Sequence, residues 1–98
     1  MPKAVNTHPG EILLKDFLQP MQLTINAFSL KLRVPNNRIL AICAGKRAVT
    51  PDTALRFARF FGNSAEFWLN LQMMHDLHMA KLTSWKQIQA DVEPRAND

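Results

Sequence analysis

The sequence holds a single cysteine, three isolated glycines and no apolar run approaching the ~18 residues that span a bilayer. Cys43 alone excludes an internal disulfide and fits a reducing compartment. Gly10, Gly45 and Gly62 stand apart, so no glycine-rich loop is present to cradle a phosphate. The eight acids are scattered, and no nucleophile lies beside a base, so neither an enzyme nor a cofactor is expected. Asn-Gly and Asp-Gly hairpin signals are missing, as is sustained apolar alternation, which argues against strands. The stretch Met1 to Pro9 lacks the apolar core of a signal peptide, and the expected location is the cytoplasm.

What is present suits one small domain with one core: 98 residues, 47% of them hydrophobic. The charge is unevenly spread. Residues 21–62 carry Lys31, Arg33, Arg38, Lys46, Arg47, Arg56 and Arg59 against Asp52 alone. The C-terminal third opposes them with Glu66, Asp76, Asp91, Glu93 and Asp98 against Lys81, Lys86 and Arg95. A positive middle of this kind suits a phosphate backbone, although a solvated surface would also account for it.

Local signals divide the chain into short helices, giving an all-α fold of five to six helices. Pro9 and Glu11 open the first, in which Leu13, Leu14, Phe17 and Leu18 fall at helical spacing before Pro20. Thr24 caps a second, with Phe28 and Leu32 on one face. Pro35 breaks it, and a third helix from about Asn36 to Ala44 buries Ile39, Ile42 and Cys43 before Gly45. Thr50-Pro51-Asp52 starts a fourth, expected to carry Leu55, Ala58 and Phe61 to the core and to stop at Gly62. Asn63, with Glu66 in a capping-box-like pair, starts a fifth that runs to about Ala80. A short sixth helix is expected from Thr83 or Ser84, followed by a frayed end. The organisation read from these signals is a flexible arm over residues 1–8, a helical domain over 9–80 and an extension over 81–98.

The second and third helices, joined by a short turn, describe a helix-turn-helix. Phe28 reaches the core, Ser29 is small where the partner helix comes close, and Ile39 and Ile42 anchor the second helix from beneath. Its outer face is then free for a major groove. Asn36 and Asn37 can pair bidentately with adenine, and Arg38 with guanine or phosphate. Lys46 and Arg47 sit where a backbone contact is natural. The candidate DNA-facing residues are Thr24, Asn36, Asn37, Arg38, Ala41, Lys46 and Arg47. Such motifs usually place glycine in the turn, where one residue takes positive φ. This chain has Arg33, at a cost of roughly 1 kcal/mol, which points to a turn reshaped by Pro35.

Four segments resemble the HigA family of toxin–antitoxin antitoxins, also called VapI-like, within the Xre/phage-repressor class. They are His8-Pro9-Gly10-Glu11-Ile12-Leu13, residues 33–39, residues 45–56 and Gly62-Asn63-Ser64-Ala65-Glu66-Phe67-Trp68-Leu69-Asn70-Leu71-Gln72. The resemblance implies a five-helix, lambda-repressor-like domain that dimerises, represses its own operon and neutralises a HigB-like, RelE-type mRNA-cleaving toxin. It places Asn36, Asn37 and Arg38 where the recognition helix meets bases, and Lys46 and Arg47 in a backbone-contacting loop. The chain departs from the family pattern at Arg33, commonly glycine, and at His75, near a common aromatic.

The fifth helix is apolar on two sides. Phe67, Trp68, Leu71 and Met74 form one stripe, and Leu69, Met73 and Leu77 form another. Either the C-terminal segment covers a fully internal helix, or the second stripe is a homodimer interface, which a palindromic operator favours. His75, Asp76 and His78 have no further ligand cluster to join, so no metal site is expected. Two classes of function stay open: a repressor of double-stranded operator DNA, with or without a toxin partner, and a helix-turn-helix used only for protein contacts. The cations beside Asn36 and Asn37 favour the first.

Overall fold

The structure is a computed structural model that describes residues 6–96. Five helices form it, and there are no strands among the described residues. Helix α1 opens with an α-helical turn over Pro9–Ile12 and continues as a π-helix over Leu13–Leu18. His8 caps it, its Nδ1 accepting the Gly10 amide proton at 2.9 Å. Regular α-helical spacing does not hold over the second part. In the wider i→i+5 helix residues five apart lie on the same side, so Leu13 and Leu18 share one fully buried face.

Helix α2 (Ile25–Leu32) begins at Thr24, whose Oγ1 accepts from the Ala27 amide at 3.1 Å. It ends at Arg33, which takes the left-handed conformation itself (φ 60, ψ 44). The expected reshaping of the turn by Pro35 therefore does not occur. The Val34 amide reaches back to the Ser29 carbonyl at 3.1 Å, the 6→1 bond of a Schellman-type cap, which offsets the strain at Arg33.

Helix α3 (Asn36–Cys43) buries Ile39 and Ile42, while Cys43 is only half-buried. It crosses α1 so closely that a Cβ added to Gly10 would lie 1.7 Å from the Ile42 carbonyl oxygen. Only glycine permits this crossing.

Helix α4 (Pro51–Phe61) starts on Thr50 and stops at Gly62 (φ 77). Its buried face is Thr53, Ala54 and Phe57, with Ala58 and Phe61 half-buried. Leu55, expected in the core, is 63% exposed. The i, i+3, i+4, i+7 stripe starts at Ala54, and Leu55 lies roughly a sixth of a turn beyond its edge.

Helix α5 (Ala65–Asp91) is capped by Ser64, whose Oγ accepts from the Phe67 amide at 3.0 Å. Asn63, expected as the cap, instead accepts from Trp68 Nε1 through its Oδ1 at 3.0 Å. The helix runs on past Ala80 without the break expected at Thr83. The Thr83 hydroxyl donates to the Met79 carbonyl at 3.0 Å, a back-bond that fits inside a helix and leaves no cap. At 27 residues α5 is about 40 Å long by the 1.5 Å rise, and the molecule measures 56 × 26 × 24 Å. Its second half therefore stands clear of the core.

That core is aromatic at its centre. Phe28, Phe57 and Trp68 are fully buried, with Phe17 and Phe61 packed against them at centroid separations of 4.7–5.8 Å. Burying side chains of this size contributes roughly 1.5–3 kcal/mol each. The cluster joins α1, α2, α4 and the first turn of α5, and this leaves the outer face of α3 uncovered.

Candidate nucleic-acid interface

The first turn of α3 follows directly from Pro35, which has no side-chain acceptor to cap its amides. Those amides and the positive end of the helix dipole suit an anion. Asn36 and Asn37 are exposed there, as are Lys46 and Arg47 in the loop that follows α3. Thr24 is exposed at the start of α2, although its hydroxyl is engaged as the cap. Ala41 is half-buried.

Arg38 is placed differently from its neighbours. Only 25% of its side chain is exposed, and one guanidinium nitrogen lies 3.2 Å from Asp52 Oδ2. Its Nε is buried with no partner among the described residues. Asp52 also accepts from Arg56 Nε at 2.9 Å, and Arg56 donates a second bond to the Leu32 carbonyl at 2.9 Å. The hydrogen bond from Arg56 holds the Asp52 carboxyl below the usual carboxylate range, and the Arg38 contact acts in the same direction. A chain of contacts thus links the end of α2, the first turn of α4 and the first turn of α3.

Sequence reasoning missed this chain, although Asp52 and Arg56 stand four apart on one helix, the spacing of a side-chain pair. It also missed Gln72. That residue is buried on α5, and its Oε1 accepts the Val49 amide proton at 2.8 Å, which fixes the loop bearing Lys46 and Arg47. The available signal is a polar residue four positions after Trp68 on the core face.

His8 and His75 act within the fold. His75 Nδ1 donates to the Asn6 carbonyl at 2.8 Å, and its ring meets His8 edge-on at 4.9 Å. The described end of the N-terminal arm is therefore fastened to α5. Residues 1–5 of that arm lie outside the described residues. No group of three or more potential metal ligands occurs among the described residues. Burial pushes the Cys43 thiol up to about 11, which leaves it a poor nucleophile at neutral pH. No described helix is long and apolar enough to cross a membrane.

A family model described as helix-turn-helix matches residues 14–68. Virulence-associated protein I of Dichelobacter nodosus is 47% identical over 74 residues, which is 76% of this chain and 68% of the relative. An addiction module antidote protein of the HigA family from Coxiella burnetii superposes with a TM-score of 0.86 at 44% identity, over 92% of this chain and 98% of that one. The chain belongs to the HigA family. The antitoxin HigA of Pseudomonas aeruginosa, solved with the higBA promoter, superposes on this HigA-family chain with a TM-score of 0.90 at 35% identity, over 93% and 99% of the two chains. The family consists of helix-turn-helix DNA-binding regulators and antitoxins, and it is non-enzymatic.

Proposed function

We propose that this HigA-family chain is a sequence-specific repressor that binds the operator of its own operon and acts as the antitoxin of a HigB-like, RelE-type toxin. The observation that carries the reading is the exposed Asn36–Asn37 edge on the uncapped first turn of α3, in a fold that superposes on a HigA solved with its promoter. Asn36 and Asn37 read bases, and Lys46 and Arg47 contact the backbone from a loop held rigid by Gln72. Thr24 and Ala41 flank that edge: the start of α2 faces a phosphate, and the small Ala41 lets a base approach.

A palindromic operator calls for two copies related by a two-fold axis. We assign the dimer contact to α5, where Met73 and Leu77 are 60% and 54% exposed. Leu69 contributes less, because it is already packed against the core. The toxin partner rests on family membership, and co-purification with the product of the neighbouring gene tests it.

Replacing Asn36 or Asn37 by alanine tests the base-reading role. Binding to the operator weakens by ~1–3 kcal/mol while binding to random DNA barely changes. Equal loss on both DNAs would remove these residues from the reading edge. Lys46→Ala weakens both equally and lowers the salt slope by about one unit for each phosphate the lysine neutralises.

A further inference from the structure

Asp52 is the one acid among residues 21–62, and it stands beside the helix that carries Asn36 and Asn37. We propose that Asp52 is a specificity-determining residue: its carboxylate occupies Arg38 in the free protein and releases it only to a matched DNA site. The inference rests on the operator-binding reading above and adds a residue that touches no base.

The geometry suits an exchange. A single oxygen, Oδ2, serves both guanidinium groups, at 2.9 Å from Arg56 and 3.2 Å from Arg38. The Arg38 contact is the longer, beyond the roughly 2.7–2.9 Å of a strong charge-assisted bond. When Arg38 leaves, Asp52 keeps Arg56, and Arg56 stays anchored on the Leu32 carbonyl at 2.9 Å. The brace between α2 and α4 survives the departure.

Arg38 itself is under-satisfied. Its Nε is buried without a partner among the described residues, and its contact with Asp52 is single and long. A guanidinium in that state gains from a better acceptor, and the O6/N7 edge of a guanine in a matched site supplies one. Asp52 meanwhile is 62% exposed and carries a negative charge toward approaching phosphates. On random DNA that charge repels, and Arg38 stays neutralised. On a matched site the new Arg38 contact offsets the repulsion.

A purely structural role for Asp52, as an acid in the first turn of α4, would act alike on all DNA. The test is therefore a double-mutant cycle read as an operator-to-random affinity ratio. Asp52→Asn is compared with wild type by fluorescence anisotropy on the duplex upstream of the chain's own gene and on a scrambled duplex. Asp52→Asn raises affinity for the scrambled duplex and lowers the ratio roughly five- to tenfold. In an Arg38→Gln background the same change shifts both affinities by one common factor. A wild-type ratio retained by Asp52→Asn overturns the inference and leaves the operator reading intact. A wild-type protein that does not discriminate overturns the operator reading itself. Where Asp52→Asn does not fold, Asp52→Ser, which keeps a short polar side chain without the charge, is read in the same way: a lowered ratio supports the inference, and a wild-type ratio contradicts it.

Discussion

Gln72, buried on α5, accepts the Val49 amide proton at 2.8 Å and so ties the loop bearing Lys46 and Arg47 to the helix at the centre of the core. Its amide group also donates to Asp76 at 2.9 Å, which fixes the side-chain orientation. Gln72→Leu keeps the volume and removes the acceptor, so a buried N–H is left without its partner. Stability falls by ~1–3 kcal/mol in urea denaturation. An unchanged midpoint would show that water replaces the glutamine there.

Gly10 makes the crossing of α1 and α3 possible. An added methyl would overlap the Ile42 carbonyl oxygen at 1.7 Å, and that atom is backbone that cannot swing aside. Gly10→Ala destabilises by about 3 kcal/mol, the upper end of overpacking costs. For a domain of this size the melting temperature drops by more than ~10 °C. A fall of only a degree or two would mean that α1 shifts freely over α3.

His8 makes stability depend on pH. Burial lowers its pKa from the ordinary 6.5, and the neighbouring His75 lowers it further, against a smaller opposing pull from Asp76. Protonation also removes the Nδ1 acceptor that caps α1. Because the unfolded chain binds the proton more readily, the contribution is complete above 6.5 and is lost as the pH falls from there through the lowered folded value. His8→Asn keeps a side-chain acceptor without the titration. Its stability between about pH 7 and 5 is flatter than that of wild type. An identical slope in both proteins would assign the effect elsewhere.

On the proposed reading, α5 carries the dimer contact around Met73 and Leu77. Trp85 and Ile88 continue the exposed apolar stripe beyond Met73 and Leu77. Leu77→Glu is expected to convert the dimer to monomer in sedimentation, and to weaken operator binding because two half-sites no longer share one ligand. A dimer that survives Leu77→Glu unchanged places the interface on another face.

The parts legible in the sequence are those set by local chemistry. Thr24, Thr50 and Gly62 each act within a single turn of helix, so their cap and stop signals read directly. Arg33 is a misfit by residue type at a positive-φ site, and it adopts that conformation because the cap around it is complete. The illegible parts depend on packing between distant segments. The π-helix over Leu13–Leu18 has no local signature and follows from the burial of both ends. Asn63 and Ser64 are adjacent and equally good caps, and only the position of the Trp68 indole assigns them. Thr83 has the residue type of a helix start, yet its hydroxyl turns back on Met79. At the candidate interface, the residue types at Asn36, Asn37, Lys46 and Arg47 are readable. The engagement of Arg38 by Asp52 is not, because the pair is 14 residues apart.

The most direct test of operator recognition is an anisotropy titration of the intact protein with the duplex upstream of its own gene and a scrambled duplex, at two salt concentrations. A sequence-specific repressor binds the first duplex at least ~1000-fold more tightly than the second, with a steep loss of affinity as salt rises. Weak binding that does not distinguish the two duplexes would contradict the proposed function, and would leave the helix-turn-helix as a scaffold for protein contacts.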